Sequence, residues 1–312
     1  MRKLLLTAAA AAVVFVCVAG AASAQALATP KSPDPLAIGG KDTAWFMDRV
    51  NRPDLDSEPQ EPFKLAGNVY YVGANNIASI LIATPKGHIL FDTGTQKMAS
   101  VIFPNMVKLG FKPADIKLML LSHAHYDHME TMETIRRLTG ATVAALEAEL
   151  PALTSGHDLG PNETWGQEPL EVGRILQSGD TIQIGGSTVK VIWTPGHTRG
   201  AAAYFITAQE DGKTVTIAFG GPPGPVTGSP EYDTRPEDAF ASYAALRQLH
   251  PDILVSGHPA NLFKGKLPAL WANARPSPLT MAPGQWEKMI NDSEANFKRR
   301  LSAGEASGGG GD

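Results

Sequence analysis

The sequence predicts an α/β fold in which sheets are flanked by helices. Short apolar, β-rich runs alternate with helical stretches along the chain, and this rhythm occurs in two similar halves. Several of the runs are apolar without alternation, which is typical of strands buried on both faces. Strands and helices that alternate in this way predict a sandwich of sheets covered by helices.

The first half begins with a predicted meander, in which Pro85-Lys86-Gly87 marks one turn. The predicted elements of this half are strands at 68–73, 78–85 and 88–94, a helix at 96–110, a strand at 116–123, a helix at 130–139 and a strand at 141–146. The second half repeats the style with two hairpins. Its predicted elements are strands at 181–186, 187–197, 201–209 and 213–221, a helix at 236–249, a strand at 252–258 and a helix at 284–302.

The N-terminus has the pattern of an export signal. Two basic residues, Arg2 and Lys3, precede an apolar run, and small residues follow at 22–24. We expect a signal peptide over residues 1–24 and a periplasmic or secreted protein. A lipid anchor on Cys17 is the alternative. The remaining chain divides into one catalytic domain over 25–304, which opens with a proline-rich arm, and a flexible tail over 305–312.

Composition limits the partners. Residues 1–24 contain two of the 27 basic residues and none of the 31 acidic ones, so the rest of the chain has a net charge of −6. This acidic balance argues against nucleic acid. No later segment holds 18 uninterrupted apolar residues, so we expect no membrane contact after cleavage. We expect a monomer that acts on a small-molecule substrate.

Residues 123–128 contain the densest chemical signal. His123, His125, Asp127 and His128 lie within six positions of a chain that has only 8 histidines, which makes a chance cluster implausible. His123 and His125 are two apart at the end of a predicted strand, so both should point to the same face. Imidazole and carboxylate groups are ligands that zinc prefers. Since the only cysteine is Cys17, any metal in the cleaved protein must be held by nitrogen and oxygen.

Two further histidines follow predicted strands. His197 lies in TPGHT and His258 in SGHP, each where an apolar strand ends in glycine, which is where α/β proteins place their sites. Each alone would fit a structural turn. The other histidines lack this setting, and we interpret them as a strand residue, a loop residue near a substrate rim and a helix-end residue, namely His88, His157 and His250.

The motif HAHYDH, with FDTG upstream and TPGHT and SGH downstream, resembles the metallo-β-lactamase superfamily over roughly residues 64–260. The chain is most similar to class B β-lactamases of the third subclass, which use histidine where the other subclasses use a cysteine ligand. The resemblance implies a four-layer αβ/βα sandwich with a two-zinc site along one edge. It also implies a hydrolase that opens the β-lactam ring of antibiotics with a water activated by two zinc ions.

The resemblance assigns roles to individual residues. It implies a first zinc held by His123, His125 and His197, and a second held by Asp127, His128 and His258. Asp127 would also relay a proton as the catalytic carboxylate. Asp92 in FDTG would orient ligand imidazoles, although a carboxylate that caps its own turn is an equal alternative. We expect substrate contacts from Trp45, Trp165, Arg199 and Glu130.

Three departures from the family pattern concern the substrate. Met129-Glu130 replaces small residues, Pro222 follows Gly220-Gly221 where a serine is usual, and Arg199 replaces a proline. Two alternatives therefore stay open. One is a zinc hydrolase of the same fold that acts on a lactone, an ester or another amide, and the other is a zinc-binding protein with little turnover.

Overall fold

A computed structural model of the chain describes residues 57–157, 167–221 and 234–303. The predicted signal peptide, Trp45, Trp165, Pro222 and the tail at 305–312 lie outside the described residues. Among the helices of the described part, none is long and apolar enough to cross a membrane.

The first sheet has seven strands in the order β1 to β7. They are β1 (Phe63–Ala66), β2 (Val69–Tyr71), β3 (Ile80–Ile82), β4 (His88–Phe91), β5 (Ile116–Leu120), β6 (Thr142–Leu146) and β7 (Arg174–Leu176). β1 to β4 pair antiparallel, and β4 to β7 pair parallel. Every residue of β3 and β4 is buried, which explains their apolar runs without alternation.

The second sheet has five strands in the order β12-β11-β10-β9-β8. They are β8 (Thr181–Ile184), β9 (Ser187–Trp193), β10 (Ala202–Glu210), β11 (Lys213–Phe219) and β12 (Ile253–Val255). β8 to β11 form an antiparallel meander, and β12 joins β11 in parallel.

The helices lie between these strands and at the C-terminal end of the described chain. They are α1 (Ala99–Lys108), α2 (Tyr126–Met129), α3 (Met132–Thr139), α4 (Leu150–Ser155), α5 (Pro236–Leu246), α6 (Ala260–Phe263), α7 (Leu267–Trp271) and α8 (Gln285–Ser302). Short 3-10 helices span Pro113–Asp115 and Glu147–Glu149. α3 ends at Gly140, whose φ of 69° suits the left-handed cap that glycine adopts without strain.

Three apolar clusters define four layers. The central cluster fills the space between the sheets, where Phe91 packs edge-on against Tyr204 and Phe219. A second cluster joins the first sheet to α1 and α3, and a third joins the second sheet to α5 and α8. The order is helices, sheet, sheet, helices, which confirms the predicted αβ/βα sandwich.

The described elements differ from the predicted ones at their ends. The predicted helix at 130–139 is two helices, α2 and α3, separated at Glu130 and Thr131. β5 ends at Leu120, so the predicted strand through His123 was wrong, because the chain leaves the sheet three residues before the first histidine. β1 and β7, at the edges of the first sheet, were not predicted.

Candidate metal centre

All six predicted ligands lie on loops or short helices that follow strands of the two sheets. The segment after β5 carries His123 and His125, and α2 then carries Asp127 and His128. His197 lies between β9 and β10, and His258 follows β12. Four of these side chains therefore lie on segments that follow strands of the first sheet, and two lie on segments that follow strands of the second.

The six side chains form two groups of three. The first group is His123, His125 and His197, and the second group is Asp127, His128 and His258. Within each group, one ligand atom from every side chain lies within 4.8 Å of the others. These are the two sets that the family resemblance implied.

Ring contacts connect the two groups. In the first group, the ring centroids of His123, His125 and His197 are 4.5 to 4.6 Å apart. The centroid of His128 lies only 4.2 Å from that of His123. In the second group, both His128 Nε2 and His258 Nε2 face Asp127 Oδ2, at 3.3 and 3.2 Å. The two groups are therefore next to each other.

Asp92 lies beneath the groups and is fully buried. Its Oδ1 accepts a hydrogen bond from the Ser122 backbone N–H at 2.7 Å, and its Oδ2 accepts one from the Ser122 hydroxyl at 2.6 Å. His128 Nδ1 also lies 2.9 Å from Oδ2. These contacts agree with the predicted orienting position, and they are not those of a carboxylate that caps its own turn.

Ser122 was missed by the sequence interpretation. Its hydroxyl donates its one proton to Asp92 and lies 3.0 Å from His123 Nδ1. The hydroxyl oxygen therefore accepts a hydrogen bond from His123 Nδ1–H. A proton on Nδ1 leaves a lone pair on His123 Nε2, which is buried and has no hydrogen-bond partner among the described residues. The only available signal was its position directly before the first histidine.

Burial keeps the first group neutral. Burial lowers the pKa of His123 and His125 well below the usual histidine value, and neighbouring histidines add to the effect. Burial, followed by the charge of His128, lowers the pKa of His197 to about 4. Neutral imidazoles offer lone pairs, which is the form that binds a metal.

In the second group, Asp127 and His128 favour opposite charges. Burial acts to raise the pKa of Asp127, but His128 and His258 outweigh it and hold that pKa well below its usual range. Burial acts to lower the pKa of His128, but Asp127 and Asp92 outweigh it and hold the pKa well above its usual range. Asp127 Oδ1 has no hydrogen-bond partner among the described residues. The carboxylate therefore turns Oδ2 toward the two histidines and has a second acceptor oxygen, Oδ1, without a hydrogen bond among the described residues.

Gly257 permits the close approach of the β12 end to this pair. A Cβ at Gly257 would lie 2.8 Å from His128 Cε1, a distance that real side chains do not tolerate. The absence of a side chain lets His258, which is 40% exposed, reach the buried Asp127.

The predicted substrate contacts have mixed placements. Arg199 Nη1 lies 2.8 Å from both carboxylate oxygens of Asp238, so a protein carboxylate already pairs this cation. Glu130 Oε2 accepts a hydrogen bond from the Gln96 backbone N–H. Met129 is buried in the cluster beneath the first sheet. The remaining histidines, His88, His157 and His250, belong to neither group.

Comparison with known proteins identifies similar chains. The sequence model of the metallo-beta-lactamase superfamily matches residues 72–258. The metallo-beta-lactamase GOB-18 from Elizabethkingia meningoseptica is 27% identical with a TM-score of 0.73, and the match covers 81% of this chain and 96% of that chain. BJP-1, a subclass B3 metallo-beta-lactamase of Bradyrhizobium japonicum, is 31% identical with a TM-score of 0.72, covering 80% and 97%.

Two proteins that are similar in sequence are hydroxyacylglutathione hydrolases. The hydroxyacylglutathione hydrolase of Fuscovulum blasticum is 29% identical over 162 residues, which are 51% of this chain and 54% of that protein. That of Synechococcus sp. (strain JA-3-3Ab) is 28% identical over 167 residues, 52% and 58% of the two chains. The chain thus spans about half the length of these relatives.

Proposed function

Because this chain belongs to the metallo-beta-lactamase superfamily, we propose that it is a zinc-dependent hydrolase that opens β-lactam rings. One observation carries the proposal. Two adjoining groups use only nitrogen and oxygen donors, with His258 in the second group. The near-complete coverage of a subclass B3 enzyme supports the same reading. The predicted signal peptide would place the activity in the periplasm or outside the cell.

The donor sets fit two zinc ions. His123 Nε2 and His197 Nδ1 are buried polar atoms without hydrogen-bond partners among the described residues, as expected of groups prepared for a cation. The first group would hold one ion and the second group the other. When bound, the ions supply Lewis-acid chemistry, which lowers the pKa of a water to about 7 and polarises the scissile carbonyl.

The chain's own residues orient ligands and handle a proton. Asp92 accepts a hydrogen bond from His128 Nδ1–H and so turns Nε2 toward Asp127 and His258. Asp127 can hold a proton at Oδ1, because only its Oδ2 faces His128 and His258. We assign to it the transfer of a proton from the attacking water to the leaving nitrogen.

A second candidate is the hydrolysis of an acyl thioester. The similarity to hydroxyacylglutathione hydrolases over about half of this chain favours it. The ion pair of Arg199 with Asp238 favours neither substrate, because a paired cation is a weaker anchor for a substrate carboxylate.

Turnover of defined substrates tests the proposal. Purified, zinc-loaded protein is assayed with a chromogenic cephalosporin, a carbapenem, a hydroxyacylglutathione and an acyl-homoserine lactone, each with and without chelator. We expect chelator-sensitive opening of the two β-lactams and the highest kcat/KM among them. A higher kcat/KM for the thioester or the lactone would replace the proposal with that activity. Two bound zinc ions without turnover of any substrate would make the chain a zinc-binding protein.

A further inference from the structure

His197 differs from His123 and His128 in how its ring is held. The ring of His123 contacts the Ser122 hydroxyl, and that of His128 contacts Asp92. His197 Nδ1 is buried without a hydrogen-bond partner among the described residues, and its ring contacts are with other ligand histidines. Its orientation therefore depends on the backbone that carries it. We call residues 194–200 the His197 loop.

A buried carboxylate holds this loop next to the histidine. Thr198 Oγ1 donates a hydrogen bond to Glu149 Oε1. Both residues are buried, and Glu149 ends the 3-10 helix Glu147–Glu149 that follows β6. The residue directly after His197 is therefore tied to the first sheet, which also carries His123 and His125.

Gly200 is a second point of close contact between the His197 loop and the Glu147–Glu149 helix. A Cβ at Gly200 would lie 2.6 Å from Glu149 Cγ and 2.7 Å from its backbone nitrogen. No side chain fits there without moving the backbone, so the His197 loop rests directly on the Glu147–Glu149 helix.

Two other side chains, both from α5, hold the ends of the loop. Ser242 Oγ donates to the Pro195 carbonyl at 2.6 Å, and Asp238 pairs with Arg199. The Arg199 side chain is one-third exposed, and solvent weakens such a pair. Both contacts come from α5, and neither is made to Thr198, the residue next to His197. Among the described residues, only Glu149 bonds to Thr198 from the side of the first sheet, which carries His123 and His125.

We propose that Glu149 is a positioning residue for His197. By accepting a hydrogen bond from the Thr198 hydroxyl, it fixes the His197 loop against the segment that follows β6 of the first sheet, so that the His197 ring meets His123 and His125. Glu149 thereby sets the metal affinity of the first group without touching the metal. This inference rests on the proposed metal site.

The test measures cobalt binding in proteins that retain one group each. His258→Ala leaves the first group intact, and His197→Ala leaves the second. Glu149→Ala is introduced into both backgrounds, and Co²⁺ affinity is read from absorption titrations. Glu147→Ala is the matched control, because Glu147 lies on the same helix but is exposed. Glu149→Gln keeps an acceptor oxygen for Thr198.

We expect Glu149→Ala to weaken Co²⁺ binding by about 10- to 100-fold in the His258→Ala background. In the His197→Ala background, affinity should not change, because that group lacks the loop histidine. Glu149→Gln should restore much of the loss, and Glu147→Ala should have no effect. Equal losses in both backgrounds would show a general structural role and overturn the inference, as would no loss in either.

Substitutions at Thr198 keep the test decisive if Glu149→Ala does not fold. Thr198→Ser retains the hydroxyl and should bind Co²⁺ normally in the His258→Ala background, whereas Thr198→Val should lose affinity. Equal affinities for these two variants would overturn the inference. Absence of Co²⁺ binding in the His258→Ala parent would instead overturn the proposed metal site. Normal binding in that parent with no effect of Glu149→Ala would overturn this inference alone.

Discussion

At the scale of single residues, Asp92 connects the two ligand groups. Its carboxylate accepts hydrogen bonds from the backbone N–H and the hydroxyl of Ser122 and from Nδ1–H of His128. It also has a φ of 45°, which is uncommon for a residue with a side chain. Strain of this kind persists where surrounding contacts hold it, and here those contacts lead to His123 and His128.

Asp92→Asn should disrupt both groups. An amide offers one acceptor oxygen and places an NH₂ donor against the donors of Ser122 or His128. We expect metal affinity to fall by about 10- to 100-fold. The free energy of unfolding should fall by about 1–3 kcal/mol, because a buried donor loses its acceptor. Cobalt titration and urea unfolding measure the two effects. Ser122→Ala, which removes only the hydroxyl, should cost less, and unchanged affinity in Asp92→Asn would contradict the assigned position.

His88 should make stability depend on pH at a distance from the metal. Burial lowers its pKa from 6.5, with Asp115 acting in the opposite direction. The unfolded chain therefore binds more protons than the folded one below that value, so the free energy of unfolding falls as pH drops through about 6.5. In the wild type, the Thr84 backbone N–H donates a hydrogen bond to His88 Nδ1. The His88→Asn side chain still offers an acceptor for that N–H.

We expect the free energy of unfolding to fall less for His88→Asn than for the wild type between about pH 7.5 and pH 5.5, because the variant lacks this proton uptake. Urea unfolding of both zinc-loaded proteins at several pH values measures the difference. Parallel profiles would mean that His88 has the same pKa in the folded and unfolded chains.

At the scale of elements, the end of α2 explains one departure from the family pattern. Met129 is buried, and its sulfur lies 3.2 Å from Gln167 Nε2. Glu130, which follows, accepts the Gln96 N–H at the start of the segment that leads to α1. The thioether thus fills the core beneath the site, and the carboxylate joins two segments of backbone.

The two substitutions should have separable effects. Met129→Ala should lower the free energy of unfolding by about 2–5 kcal/mol, since it removes a buried side chain. Glu130→Gln keeps an acceptor for Gln96 but removes a negative charge. We expect it to lower the KM for anionic β-lactams, by a factor that shrinks as salt screens the charge. Steady-state kinetics at two salt concentrations measures this. An unchanged KM would mean that Glu130 serves only its contact with Gln96.

At the scale of the whole molecule, the two sheets are joined at the site. The Ala202 N–H donates to the Ser122 carbonyl at 2.8 Å, and the Tyr204 hydroxyl donates to the Leu121 carbonyl at 2.6 Å. Both bonds run from the start of β10 in the second sheet to the segment after β5 in the first. Since each ligand group contains residues from both sheets, a bound metal would add a further link between them.

Metal should therefore stabilise the fold as a whole. A ligand at a hundredfold excess over its Kd adds about 2.7 kcal/mol per site to the free energy of unfolding. We expect the Tm to rise with zinc concentration and to fall with chelator, as measured by thermal unfolding. His197→Ala and His258→Ala should each retain part of the rise. A Tm that is independent of zinc would contradict binding across the two sheets.

The sequence by itself supplied the donor residues of the proposed site. These residues could be named because they lie in the segments that follow apolar strands, and because donor type is a property of each side chain alone. Most of the longer strands and helices were also predicted, since their periodicity is local, whereas the edge strands β1 and β7 were not. The signal peptide over 1–24 stays a prediction.

Only the tertiary structure decided what supports the site. Ser122 meets Asp92 across 30 positions of sequence, Thr198 meets Glu149 across 49, and Arg199 meets Asp238 across 39. Such pairs leave no local pattern, because they depend on how two sheets and their connecting loops pack. The same limit explains why β5 ends before His123, since its length depends on its pairing with β4 and β6. The sequence gives the type of each residue, whereas packing sets which residues lie next to it in space.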